Sequence, residues 1–418
     1  MADAAPNLAK CPAYTVQRLR WEEECLHTIA LPARDMEIRA SFGSGLTRRA
    51  GDPPGILWAV GDRGPNVKPK VLVERYGVDS MAAIKQDGAK VMPLRDLGPA
   101  IAQLRVQNGA AQLVQTLRIV DEDGRPVSGL PPQSSEHAQA EPAFDLEGQP
   151  LQPDPSGLDT EGIVAFGNGE FLLGDEFGPS LVRVDGEGRV LARHVPAGCA
   201  DEDATYPVLS TLPAIAAKRQ LNRGFEALAL SNDEATVFLA FQSPLAHPDK
   251  AAHEAGRHVR LWQMDADTLR VTAQYAYPLD PPGSFIRDNQ KEQIGWSDLK
   301  ISELVAFGND RLLVLERCSA TTKLYSVRLS PGRALPAEHL DAAHRPTLEE
   351  LSAAGEAFPT LEKTLVFSSD DAPEVAPDME GMAVLSPTEL LLVNDNDFGV
   401  EGAHTSFWIV RFEEPVLA

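Results

Sequence analysis

Short apolar runs recur along this chain, separated by clusters of Gly, Pro, Asn and Asp. Two segments set the pattern, DTEGIVAFGNGEFLLGDEFGP at 159–179 and DMEGMAVLSPTELLLVNDNDFG at 378–399. Each carries an acid–Gly pair, an apolar strand, a turn, a second apolar strand, then an acidic cluster and Gly. RGFEALALSNDEATVFLAFQSP (223–244) and ISELVAFGNDRLLVLER (301–317) repeat it, and SGLTRRAGDPPGILWAVGDRGP (44–65) is a weaker fifth copy with Ser44 in place of Glu. Each copy reads as a β-hairpin, because Gly and Asn at the turn accept positive φ.

Residues equidistant from a hairpin turn face one another across it. On that rule Glu161 pairs with Asp175 around Asn168, and Glu303 with Glu316 around Asn309 and Asp310. Likewise Glu380 pairs with Asp395 around Pro387 and Thr388, Glu226 with Gln242 around Glu234, and Ser44 with Asp62 around Pro53. The acids therefore gather at the open ends of the hairpins.

The Glu residues that open the four strong copies stand at 161, 226, 303 and 380, wider apart than the roughly 40–50 residues of compact propeller blades. Long loops must intervene. RHVRLWQMD (257–265), RVTAQYAYPL (270–279), TTKLYSVRL (321–329) and TSFWIVRF (405–412) read as outer strands. AIAQLRVQNGAAQLVQTLRIV (100–120) reads as an unmarked strand pair. The expectation is an all-β chain: a single β-propeller over 36–418, with six blades, inserted loops and short helices. Residues 1–35 form an N-terminal segment that closes it. The polar, Pro-rich stretch 128–157 is an excursion over the surface, and 209–221 and 345–358 read as short helices, the second capped by Thr347.

Composition narrows the function. Gly (32) and Pro (33) are plentiful, which suits many strands and turns. The net charge of −23 shows no basic footprint for nucleic acid or for an anionic membrane. Cys11, Cys25, Cys199 and Cys318 form no CxxC pair, so zinc and a dense disulfide framework are not expected, although one bridge stays open. No apolar window spans a bilayer. The N-terminus lacks a basic start followed by an apolar run, which reads as cytoplasmic unless a signal has been removed. There is no G-x-S-x-G elbow, HExxH, P-loop or dinucleotide fingerprint, and His247, His253 and His258 read as solvated loop residues.

Inner strand ends surround the central channel of a propeller. Ten carboxylates are candidates for its mouth: Asp62, Glu161, Asp175, Glu176, Glu226, Glu303, Glu316, Glu380, Asp395 and Asp397. Each like-charged pair at ~4 Å costs about 4 kcal/mol at an effective dielectric of ~20, so protons, arginines or cations must offset them. One alternative is structural: the acids cap backbone amides or pair with Arg63, Arg223 and Arg317. The other is an all-oxygen cation site, with Ca²⁺ the first candidate and then Mg²⁺ or Mn²⁺. Arg63 and Arg317 follow hairpin-end acids and suit a phosphate or carboxylate; Lys68 and Lys70 read as surface lysines.

These segments together resemble the bacterial family called "esterase-like activity of phytase", over about residues 40–412. The resemblance implies a propeller-like repeat with recurring acids that supports phosphodiester or phosphomonoester hydrolysis. The positions matching its motif are Asp62, Arg63, Glu161, Asp175, Glu176, Glu226, Glu303, Glu316, Arg317, Glu380, Asp395 and Asp397. Many relatives look exported, and no export signal is visible here. The expected protein is a monomeric, metal-dependent hydrolase of a small anionic phosphoester, with Glu303 or Glu226 as general base and Arg63 or Arg317 clamping the phosphate. Two alternatives remain at this point: a calcium propeller that opens lactones, and a non-catalytic ligand-binding propeller pinned by a structural metal.

Overall fold

The fold is described from a computed structural model, for residues 11–133, 140–200, 203–308 and 310–417. The expected turn residue Asn309 and part of the 128–157 excursion and of the N-terminal segment lie outside these. Five antiparallel sheets form the blades of a propeller. Blade 1 runs Gly45–Thr47, Ile56–Gly61, Ala100–Gln107 and Ala110–Arg118. Blade 2 runs Thr160–Ala165, Phe171–Asp175, Ser180–Val184 and Val190–Pro196, with Val208–Leu212 added in parallel at its edge. Blade 3 is Phe225–Leu230, Thr236–Phe241, His258–Asp265 and Val271–Pro278. Blade 4 is Lys300–Phe307, Arg311–Arg317, Thr322–Arg328 and Lys363–Ser368. Blade 5 is Met379–Ser386, Glu389–Asn394 and Phe407–Phe412, completed by Tyr14–Arg18 from the other end of the chain.

The first strand of each blade packs against the first strands of its two neighbours, so the five close a ring. The count is therefore five, not six. The strand pair at 100–120 is no separate blade: Ala100–Gln107 pairs with Ile56–Gly61 and supplies the outer half of blade 1.

Inner strands approach closely because the residue after the marked Glu is small in most copies. A Cβ on Gly162 would overlap the carbonyl oxygen of Glu226 in the next blade. Between blades the faces are apolar on both sides and pack as sandwiches. Trp58 of blade 1 meets Phe171 of blade 2 edge to face, with centroids 5.0 Å apart. Phe225, Phe241 and Trp262 form a buried aromatic cluster in blade 3.

Of the two expected helices, Leu348–Ala354 forms, with Thr347 Oγ1 accepting from the Glu350 amide and the Glu350 carboxylate accepting from the Thr347 amide. The 209–221 stretch is instead the edge strand of blade 2 followed by a short 3₁₀ turn, Ala214–Lys218. The four cysteines are unbridged. No helix among the described residues is long and apolar enough to cross a membrane.

Candidate metal centre

The symmetric pairing expected across the hairpins is shifted by one residue, and the shift decides which acids meet. In blade 2, Thr160 lies opposite Asp175 and Gly162 opposite Gly174, leaving Glu161 in a β-bulge. Glu226, Ser302 and Glu380 occupy the same bulge in blades 3, 4 and 5. A bulge places two residues against one and re-aims the extra side chain. Here it turns each marked residue toward the axis. The residues that join them at the mouth stand one past the residue paired just before each bulge, namely Glu176, Gln242, Arg317 and Asp395, with Asp62 directly after the strand Ile56–Gly61 in blade 1.

Apart from the buried Ser302, these side chains, with Asp397, Arg63, Asn66, Lys90, Asn222 and Lys300, line one cup of about 120 Å³ at the mouth. Seven carboxylates face four cationic side chains there. Two overlapping trios, Asp62–Asp395–Asp397 and Asp62–Asp159–Glu161, each offer carboxylate oxygens lying within 4.8 Å of one another. A larger cavity of about 580 Å³ opens at the other end of the ring, but its floor is apolar and it gathers no acid cluster.

Of the ten expected acids, seven meet in this cup and three do not. Strand alternation sends Asp175 and Glu316 away from it, into the blades. Asp175 is fully buried, accepts from Arg193 at 2.7 Å and from the Asp159 amide at 2.8 Å, and also pairs with Ser180. Glu316 accepts from the Tyr277 hydroxyl, the Asp280 amide and Lys363 at 2.6–2.7 Å. Glu303 stands one residue past the bulge, where other blades have Gly or Ala. Its side chain enters the channel below the cup and accepts the amides of Leu46 and Leu304, at 2.8 and 3.1 Å, and those of Met382 and Leu228. That is the amide-capping role, not the position of a base. The bulge residue of its blade is Ser302.

Both expected arginines belong to the cup, and both hold acids. Arg63 forms ion pairs with Glu141, Asp159 and Glu176, donates from NH2 to the Asn222 side-chain oxygen at 3.1 Å, and lies over the Phe177 ring. Arg317 pairs with Asp378 and Glu380 and donates to Ser302 Oγ at 2.8 Å. Ser302 in turn donates to Glu226 at 2.7 Å. Lys68 and Lys70 are exposed, at the N-cap and in the first turn of the helix Pro69–Tyr76; the lysines at the cup are Lys90 and Lys300.

Sequence reasoning missed Asp159 and Asp378, although DTEG and DMEG display both two residues before the bulge Glu. Lys90, on the short strand Lys90–Val91, and Asn66 and Asn222, on loops, have no repeat to announce them. His247 and His253 are buried, not solvated, and His253 Nδ1 lies 2.7 Å from the Pro244 carbonyl.

Electrostatics follow from the crowding. Burial, then Asp395 and Asp159, hold the Asp62 carboxyl well above the usual range. Burial, then Asp159 and Glu176, do the same for Glu161. Burial raises Glu380 against the opposing Arg317. Burial, then Asp159 and Glu226, push Glu176 up to about 8. Asp397 is open to solvent on one side, yet protein around its carboxylate and Asp395 raise it to about 7.

A pH dependence follows for the metal-free protein. Glu176 moves from 4.5 unfolded to about 8 folded, so the folded state keeps a proton the unfolded chain has shed. Its contribution to stability is full below the unfolded value and is lost as pH rises through the folded one. Asp397 adds the same sign, up to about 7. Thermal melts in chelator should therefore fall from pH 5 to pH 8, and Ca²⁺ should flatten the slope. A melting temperature that climbs across this range would contradict the arrangement.

Among curated proteins, an uncharacterized secreted protein of Arthroderma benhamiae is 26% identical over 281 residues, covering 57% of this chain and 52% of that protein. The chain thus spans about half the length of this relative. Among solved structures, the calcium-binding protein regucalcin of Agrobacterium tumefaciens aligns over 98% of this chain and 100% of its own, at 11% identity and a TM-score of 0.36. A gluconolactonase of Xanthomonas campestris aligns over 97% and 99%, at 10% identity and a TM-score of 0.34. At such scores neither likeness carries over a residue, a ligand or a reaction. The family described as "Esterase-like activity of phytase" matches residues 41–398, nine-tenths of the blades and every residue of the cup, and the chain belongs to that family.

Proposed function

We propose that the protein is a metal-dependent phosphoester hydrolase working at the carboxylate cup. The observation that carries this reading is the pair of acid trios sharing Asp62, set in a cup where carboxylates outnumber cations. The donor set fits a hard cation, Ca²⁺ first and then Mg²⁺ or Mn²⁺, because every candidate ligand atom is an oxygen. Burial and mutual repulsion, which push Asp62, Glu161, Asp395 and Asp397 toward protonation, are relieved by a cation. Asp159 Oδ2 adds to the fit: it is buried and makes no hydrogen bond, and only the Arg63 ion pair offsets it.

Asp62, Asp159, Glu161, Asp395 and Asp397 would hold the ion. A bound cation there supplies Lewis-acid neutralisation of phosphoryl oxygens and acidifies water. Glu226, which belongs to neither trio, is left as the general base. Ser302 fixes one of its oxygens and leaves the other for the proton of the attacking water. Arg63 and Arg317, with Lys90 and Lys300, bring positive charge to the phosphate. The cup, of about 120 Å³ and lined by polar and charged side chains, seats the phosphoryl group in this reading and leaves the alcohol portion outside. All of these residues come from one chain, so the reading needs no second subunit and no nucleic-acid partner.

The test is a panel of phosphate mono-, di- and triesters and lactones, each with Ca²⁺, Mg²⁺ or Mn²⁺. Phosphate or alcohol release that chelator abolishes is expected. Inert phosphoesters with opened lactones would replace the reading, and no turnover on any substrate would remove it.

A further inference from the structure

The long segment between the third and fourth strands of blade 4 carries a cluster that the cup does not use. Glu338 and His339 lie on the 3₁₀ turn Ala337–Leu340, and His344 follows five residues after His339. One ligand atom from each of the three lies within 4.8 Å of the others. The two imidazoles sit edge to face with centroids 4.9 Å apart, and His344 Nε2 lies 3.8 Å from Glu338 Oε1.

His339 is the telling member. It is 7% exposed, and its Nδ1 is buried without a hydrogen-bond partner. A buried polar nitrogen left unpaired costs about 1–3 kcal/mol, so natural structures rarely keep one without a use. The backbone around it is firmly held. Its carbonyl accepts from Arg260 NH1 at 2.7 Å, and its amide donates to the Pro336 carbonyl at 3.1 Å. The His344 amide donates to Asp341 O at 3.1 Å. The positive charge of Arg260 is matched by Glu349 in a two-point ion pair, so it does not bar a cation nearby.

We propose that Glu338, His339 and His344 form a second metal site, selective for zinc-class ions and separate from the cup. Two imidazoles and a carboxylate are the nitrogen–oxygen set that Zn²⁺ takes in tetrahedral sites, with the fourth position left to water. The all-oxygen cup selects hard ions instead. Ligands at ~2.0–2.1 Å from a tetrahedral ion stand about 3.3 Å apart, so the side chains must draw in slightly. Glu338 is exposed and His344 partly so, which leaves both free to move onto the fixed His339. Bound there, the ion ties the turn to the residues just before the helix Leu348–Ala354.

The experiment titrates the full chain with Co²⁺ and Zn²⁺ in saturating Ca²⁺, which occupies hard-ion sites. One tight equivalent is expected, with visible cobalt bands of a four-coordinate nitrogen–oxygen site and X-ray absorption showing two imidazoles. His344→Ala and Glu338→Gln, both at accessible positions, should weaken binding at least 10–100-fold, the loss seen even for outer residues that support a metal ligand. Asp62→Asn, in the cup, should leave zinc binding unchanged. Absence of a stoichiometric equivalent in the wild-type protein would overturn the site. So would wild-type affinity in His344→Ala, or loss in Asp62→Asn alone.

Discussion

Glu226→Gln is expected to lower phosphoester turnover by roughly 10²–10⁴-fold, the usual span for removing a general base. Calcium affinity should stay within a few-fold of wild type. The two effects separate because Glu226 lies outside both acid trios and accepts a hydrogen bond from Ser302, at 2.7 Å. Glutamine keeps the shape and can still accept from Ser302, so the fold and the cup should survive. What is lost is the anionic oxygen that receives the proton of the attacking water. Single-turnover rates beside calorimetric Ca²⁺ binding measure both quantities. Full turnover in the variant would move the base elsewhere, and lost calcium binding would make Glu226 a ligand.

Arg260→Ala should produce the largest loss of stability, about 3–5 kcal/mol, the range for breaking a buried ion pair by removing one partner. Arg260 and Glu349 are both essentially inaccessible and meet through two bonds of 2.8 Å each, Nε to Oε1 and NH2 to Oε2. Arg260 also donates to Gln274 and to the His339 carbonyl. Its removal leaves the Glu349 carboxylate buried with no charge opposite it, and frees the helix Leu348–Ala354 from blade 3. The double variant Arg260→Met with Glu349→Leu should recover much of the loss, since apolar groups of similar volume often replace such pairs without cost. Chemical denaturation of the three proteins decides it. A single variant as stable as wild type would show that the pair holds nothing.

The repeated acid–Gly hairpins made the propeller readable, because alternation and turn chemistry agree in each copy. The blade count was harder to read, since strands at 100–118 belong to a blade whose hairpin lies some forty residues earlier. Gathering of the acids was legible from their recurrence, but their facing was not. A bulge adds one residue to one strand, and nothing in the composition of TEG, FEA or MEG marks it. That single residue moves Asp175 and Glu316 out of the cup, brings in Glu176 and Arg317, and exchanges Glu303 for Ser302. Had the copies been aligned on Leu304 and Ile163, Ser302 would have stood over Glu161, and Glu303 over Gly162. Side chains reaching the cup from outside the blades, such as Lys90 and Asn222, depend on chain paths that no local pattern encodes.

Blade 5 is built from segments nearly four hundred residues apart in sequence, Tyr14–Arg18 lying along Phe407–Phe412. On the ribosome the ring therefore stays open until translation has passed residue 412. Asp62 and Glu161 are made early and must wait, solvated and apart, for Asp395 and Asp397 to arrive. A chain halted before Phe407–Phe412 would carry every acid of the cup with no closed ring to assemble them.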